Sequence, residues 1–259
     1  MTILSNLLKS WFLLLNLLVS FWLLPQKAVG QEAAKEVTDR EQVWLGYFNQ
    51  TRISNKFSLW LDLHARRTDF LDRWATTIIR PGITYHISDH TRFTVGYAYA
   101  SHWPVSETEK TVRPEHRPWQ QINWSGRSKR LHLNQWVRLE ERFNRNIIND
   151  QLQDDYRFNF RARYMIALMV PLTADAIAPG VPFAILNDEV HLNFGKEVVY
   201  NYFDQNRLFA GLGYQFTKSL NAQLGYMQVF QQREAGNRFF DTRAIRLFVF
   251  HNLDLRKSQ

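Results

Sequence analysis

The chain has no cysteine among its 259 residues. That excludes a disulfide framework and a thiolate metal site. Past residue 30 it has no apolar run approaching the ~18 residues of a membrane-spanning helix. The longest candidate, Tyr164 to Leu172, is about half that and contains Pro171. Helical periodicity is missing as well, since apolar residues do not recur three and four apart. Basic blocks are also absent. The net charge is +8, but Arg and Lys are interspersed with Asp and Glu, which argues against nucleic-acid binding.

The first segment that is present is an address. Residues 1–30 read as a signal peptide. Lys9 supplies a positive charge, Trp11 to Leu24 (WFLLLNLLVSFWLL) is the apolar core, and Pro25 ends it. Ala28-Val29-Gly30 places small residues before an expected cleavage at Gln31. An uncleaved anchor is the alternative, for which this run is short. Cleavage removes Lys9 and Lys27, so the exported chain carries +6. The charged segment 31–40 is expected as a flexible arm, and 41–259 as a single domain.

That domain is organised around Leu131 to Phe143 (LHLNQWVRLEERF). Leu131, Leu133, Val137 and Leu139 fall on one face, interrupted by Gln135. His132, Asn134, Trp136, Arg138, Glu140 and Arg142 fall on the other. Period-two alternation marks a strand with one apolar and one polar face. Phe57, Leu59, Leu61, Leu63 and Ala65 repeat the pattern against Ser58, Trp60, Asp62, His64 and Arg66. From Tyr156, a phenylalanine-rich face opposes Arg157, Asn159, Arg161 and Arg163. Asn187, Glu189, His191 and Asn193 oppose Leu186, Val190, Leu192 and Phe194; Arg207 opposes Leu208 and Ala210. In the last strand, from about Asp241 to Leu255, both faces carry large apolar residues.

The sequence therefore predicts an all-β fold, an antiparallel transmembrane β-barrel of about ten to twelve strands. Trp103 to Arg117 and Asn144 to Asp155 read as polar loops, alternating with short turns such as Ser88–His90. Tyr47, Tyr85, Tyr97, Tyr164 and Tyr226 are expected toward strand ends, where aromatic girdles belong. About eleven strands can be counted, whereas bacterial single-chain barrels have even numbers. Either a strand hides in 31–40 or one is spurious, and Pro81 implies a bulge, a break or an edge in the third.

Four motifs in order carry a family resemblance. They are Arg117-Pro118-Trp119-Gln120-Gln121, Arg138-Leu139-Glu140-Glu141-Arg142-Phe143, Asn187-Asp188-Glu189-Val190, and Phe203 through Tyr214 (FDQNRLFAGLGY). Together they resemble the family labelled domain of unknown function 2490, predicted bacterial outer-membrane β-barrels. The resemblance implies an architecture and an outer-membrane location, with no catalytic residue to carry over.

The polar faces assemble a candidate lumen lattice: Asp62, His64, Arg66, Arg138, Glu140, Arg142, Arg157, Arg161, Arg163, Glu189, His191 and Arg207. It either fills a narrow barrel with paired charges or lines a small pore. Arginines outnumber carboxylates, so a pore is expected to prefer small anionic solutes. The expected partners are outer-membrane lipids, without nucleic acid, cofactor or metal. Two alternatives stay open. A lipid hydrolase needs a Ser and a His, and His102 is the candidate, although adjacent Ser101 points the opposite way. A soluble periplasmic barrel binding an apolar ligand would use the same alternation turned inside out.

Overall fold

Alternation governs the chain from Glu36 to Asp254, and a computed structural model, which describes residues 34–256, folds it into eleven strands. They are β1 (Glu36–Arg52), β2 (Phe57–Thr68), β3 (Arg73–His86), β4 (Thr91–His102), β5 (Arg113–Ser128) and β6 (Leu131–Ile148). β7 (Gln151–Pro171), β8 (Pro182–Phe194), β9 (Phe203–Gln215), β10 (Leu220–Gln232) and β11 (Arg238–Asp254) follow. Each pairs antiparallel with its sequence neighbours, and the sheet closes where β1 meets β11. Closure leaves no open edge. The expected signal peptide, 1–30, and residues 31–33 of the expected arm lie outside the described residues.

An odd number of strands closes only with one parallel pair. β1 and β11 provide it, in register from Glu36↔Arg238 to Arg52↔Asp254. Neither a hidden twelfth strand nor a spurious one is needed, and the expected antiparallel barrel of ten to twelve strands is found with this one parallel seam. Strand-forming sequence also reaches into the expected arm, because Glu36 to Arg40 belong to β1.

Of two expected loops, one ends in strand and the other is mostly strand. The expected loop from Trp103 to Arg117 pairs with β4 from Arg113 onward, where Pro114 and Pro118 interrupt the alternation. Asn144 to Asp155 is mostly the β6–β7 hairpin, closed by Asn149 and Asp150 with φ of 50° and 56°. Positive φ at both central residues suits a tight two-residue turn, and Asn and Asp tolerate it best. Pro81 makes no edge. The β3–β4 ladder passes from Ile79↔Tyr99 to Gly82↔Gly96, skipping Arg80 and Pro81 without a register slip. Proline lacks the N–H a rung would use.

Asp150 also fastens the β4–β5 loop, accepting backbone N–H bonds from Thr111 (2.8 Å) and Lys110 (3.0 Å). Those bonds hold its carboxyl below the ordinary 3.8. A depressed folded pKa gives stabilisation that is complete above the ordinary value and lost as pH falls through the folded one. Asp150→Ala at neutral pH is therefore expected to speed amide exchange at Lys110 and Thr111, and acidifying the wild type through the folded pKa to lower their protection relative to the intrinsic rate at the same pH. Unchanged exchange in the variant would show that the tether is idle.

The alternation acquires a direction in three dimensions. Leu45, Leu59, Leu63, Ile79, Ile83, Val137, Leu186, Leu208, Leu224 and Leu247 point outward and are exposed. Asp62, Arg138, Glu140, Arg161 and His191 point inward and are buried. Outward aromatic contacts gather at strand ends, including Phe57–Tyr85 at one rim and Phe143–Phe158 and Phe160–Phe194 at the other. Tyr226 departs from that expectation, since it is the central residue of β10. Polar residues on the outer face satisfy one another: Tyr164 donates to Gln135 at 2.6 Å and Asn206 to Asp188 at 2.7 Å.

Candidate functional site: the arginine-rich lumen

The β6–β7 hairpin sets Glu140 opposite Arg161 and Arg138 opposite Arg163. Glu140 is fully buried. Arg161 grips one of its oxygens through Nε (2.8 Å) and Nη2 (2.5 Å), and Arg163 Nη1 meets the other at 2.6 Å. Arg117 and Arg138 stand further off, at 3.6 and 3.8 Å. One carboxylate thus anchors four guanidinium groups.

The lattice spreads from there in both directions around the wall. Arg163 also bonds Glu189 through Nε at 2.7 Å, and Arg161 reaches Asp204 at 3.0 Å. His191 Nε2 lies 2.9 Å from Glu189 but is not aligned to hydrogen-bond it. On the other side Glu115 collects Arg117 (2.9 Å), Arg142 (2.6 Å) and His102 (2.8 Å). Asp62 receives Arg80 Nη1 and Trp60 Nε1, each at 3.1 Å, with His64 at 3.3 Å. Fork-shaped guanidinium–carboxylate bonds of this kind are strong and directional.

Most of the expected lattice residues therefore meet, and two, Arg66 and Arg157, do not. Arg157 lines the interior at the rim and pairs with Glu234 of the β10–β11 loop. Sequence reading missed Glu115 and Asp204, the second centre and the far arm of the network. Glu115 was hidden in the supposed loop, although it sits two residues before Arg117 and four before Trp119, in strand register. His102 does not partner a serine. Its neighbours are Thr76 (3.3 Å) and Glu115, whose carboxylate is already held by two arginines.

Charge does not balance inside. Seven buried arginines (Arg80, Arg117, Arg138, Arg161, Arg163, Arg207 and Arg246) face five buried carboxylates (Asp62, Glu115, Glu140, Glu189 and Asp204). Arg66, Arg92 and Arg142 add further positive charge to the same wall. Arg66 is the extreme case, stacked 3.6 Å over the Trp44 ring. Its Nε is buried with no hydrogen-bond partner among the described residues. Arg66→Leu is therefore expected to stabilise the barrel, by on the order of 1 kcal/mol, because an uncompensated charge is replaced by an apolar group. Urea unfolding of both proteins in detergent checks it, and a destabilised variant would show that Arg66 is compensated after all.

A cavity of about 1600 Å³ runs alongside the lattice. Its lining includes Arg40, Asn144 and Asp150 toward one rim and Arg52, Asn221 and Asp254 toward the other. Apolar side chains occupy the rest of the interior: Trp44, Phe183, Ile185, Phe209, Met227 and Phe248 form one cluster. Among the described residues no group of His, Asp and Glu side chains is placed to hold a metal ion.

An apolar exterior around a charged, cavity-bearing interior defines a closed β-barrel of the lumen-lined type. The chain belongs to the family described as "Protein of unknown function (DUF2490)", whose model matches residues 41–240. No curated protein matches the chain, and no solved structure does.

Proposed function

We propose that this protein is an outer-membrane β-barrel that passes small anions through an arginine-biased lumen. The observation that carries the reading is the direction of the alternation, leucine and isoleucine rows outside and charge inside. In water that arrangement exposes many large apolar side chains in contiguous rows, which soluble monomers avoid. Against hydrocarbon it is favourable, since strands of at least the roughly nine to eleven residues needed can cross at a tilt. A soluble carrier of apolar ligands would require the opposite arrangement. The leader at Lys9 and Trp11 to Leu24 supports export.

Anion preference follows from the excess of lumen arginines, since fixed charges along a narrow path select the opposite sign. The cavity's reach toward both rims supports a path rather than a plug. Fractionation tests the location. The mature protein is expected in the outer-membrane pellet after detergent-free lysis and to stay there through a carbonate wash. Recovery in the soluble fraction would defeat the membrane reading.

A further inference from the structure

We propose that the lumen holds a binding site for a single-chain amphiphile with an acidic headgroup, of the long-chain carboxylate class. This deepens the anion-pathway reading and rests on the same lumen. Trp44 of β1 is flanked in register by Arg66 of β2 and Arg246 of β11. Arg207 approaches the same ring from β9, its Cζ 5.1 Å from the centroid. Arg66 and Arg246 have no carboxylate partner among the described residues, and Arg207 has only a long contact to one. Arg66 has no ion pair or hydrogen bond among the described residues and only the Trp44 stack. Arg246 has one hydrogen bond, 3.3 Å to Gln223, and a buried, unpartnered Nε. Arg207 donates to Gln205 at 3.0 Å and stands 3.6 Å from Glu189. Arg66 and Arg207 share the Trp44 ring while Arg246 lies over Phe209 at 3.3 Å, and three neighbouring cations so weakly compensated repel one another. An anion placed among them removes that repulsion.

The second half of the site is apolar. From Trp44 the same cavity is walled by Phe48, Phe248, Phe250, Phe183, Met169 and Ile177. Phe48 stacks on Phe250 at 4.7 Å and tilts against Phe248 at 5.1 Å. Along β1 and β11 this wall leads from the arginines toward the rim where both strands end. A hydrated inorganic anion gains nothing from an aromatic wall, and a neutral hydrocarbon gains nothing from a cluster of weakly compensated arginines. A molecule with an acidic head and an apolar tail uses both.

The test uses the mature chain folded in nanodiscs and a terminally brominated dodecanoate, whose bromine quenches tryptophan. Saturable quenching is expected, displaced by unbrominated dodecanoate but not by dodecanol (tail without charge) or acetate (head without tail). Displacement by dodecanol as effective as by dodecanoate, or quenching that rises without saturating, would overturn the proposal. These arms need only wild-type protein. In addition, R66Q/R246Q is expected to weaken binding by about tenfold, the loss expected from a charge-assisted hydrogen bond. Unchanged affinity in that folded variant would overturn the site as drawn. Conductance is recorded separately. Binding without conductance removes the pore and leaves the site, whereas conductance without saturable binding does the reverse.

Discussion

Replacing Glu140 with Leu is expected to cost about 3–5 kcal/mol of barrel stability, the penalty typical of removing one partner from a buried charge cluster. Glu140 accepts three short bonds, two from Arg161 and one from Arg163, is the near anion for Arg138, and lies 3.6 Å from Arg117, which Glu115 holds more closely. Leucine leaves those guanidinium groups to repel one another across β5, β6 and β7. Glu189 and Asp204 retain their hold on Arg163 and Arg161, so the loss is partial and not a collapse. Urea unfolding followed by tryptophan fluorescence, with the heat-dependent gel shift as a second readout, measures it. A midpoint equal to wild type would mean the lattice is ornamental. Glu140→Gln separates charge from shape, and most of the loss is expected to remain there.

Trp119→Ala is expected to cost about 3–5 kcal/mol by a different route, an unfilled cavity. Trp119 has no solvent exposure. Its ring lies over Gly82 and Gly96, which face each other across β3 and β4. A Cβ on Gly96 would come within 2.6 Å of that ring and closer still to the Pro81 carbonyl, and one on Gly82 within 2.8 Å of the Val95 carbonyl, so ring and backbone together keep both positions small. Arg138 stacks on it at 4.4 Å and Trp60 meets it edge-on at 6.2 Å. Removing the indole empties the space above both glycines and strips Arg138 of one of its two cation–π partners. The same unfolding assay reads this change, and a loss below about 1 kcal/mol would indicate that neighbouring side chains collapse into the gap.

Much of this fold was legible because its strands alternate cleanly. Phe57 to Arg66 and Leu131 to Arg142 each sort into the two faces that the barrel uses. The direction of those faces was not contained in the alternation, which serves a membrane barrel and an inside-out soluble one equally. It became visible only when closure placed Leu59 and Val137 outside. The parallel seam was also beyond local pattern, since it follows from the number of strands and not from the residues of β1 or β11.

Within the lumen, Glu140, Arg161, Arg163 and Glu189 were readable as one set because they lie on clean polar faces. Glu115 was not, because Pro114 and Pro118 made its surroundings look like a loop. Arg246 was obscured by Phe248 and Phe250 on its own face and Ile245 and Leu247 on the other. Arg157 shares the parity of Arg161 yet ends at the rim. Parity fixes the face, and depth in the barrel requires the register.

The account turns on the claim that uncompensated lumen arginines make an anion-favouring path. Its most direct test is the reversal potential of the purified, folded barrel in a planar bilayer under a potassium chloride gradient. The expected result is a stable conductance with the reversal potential displaced toward the chloride equilibrium value, and the displacement shrinking in Arg66→Gln. A displacement toward the potassium value, or no conductance from folded protein, would contradict it.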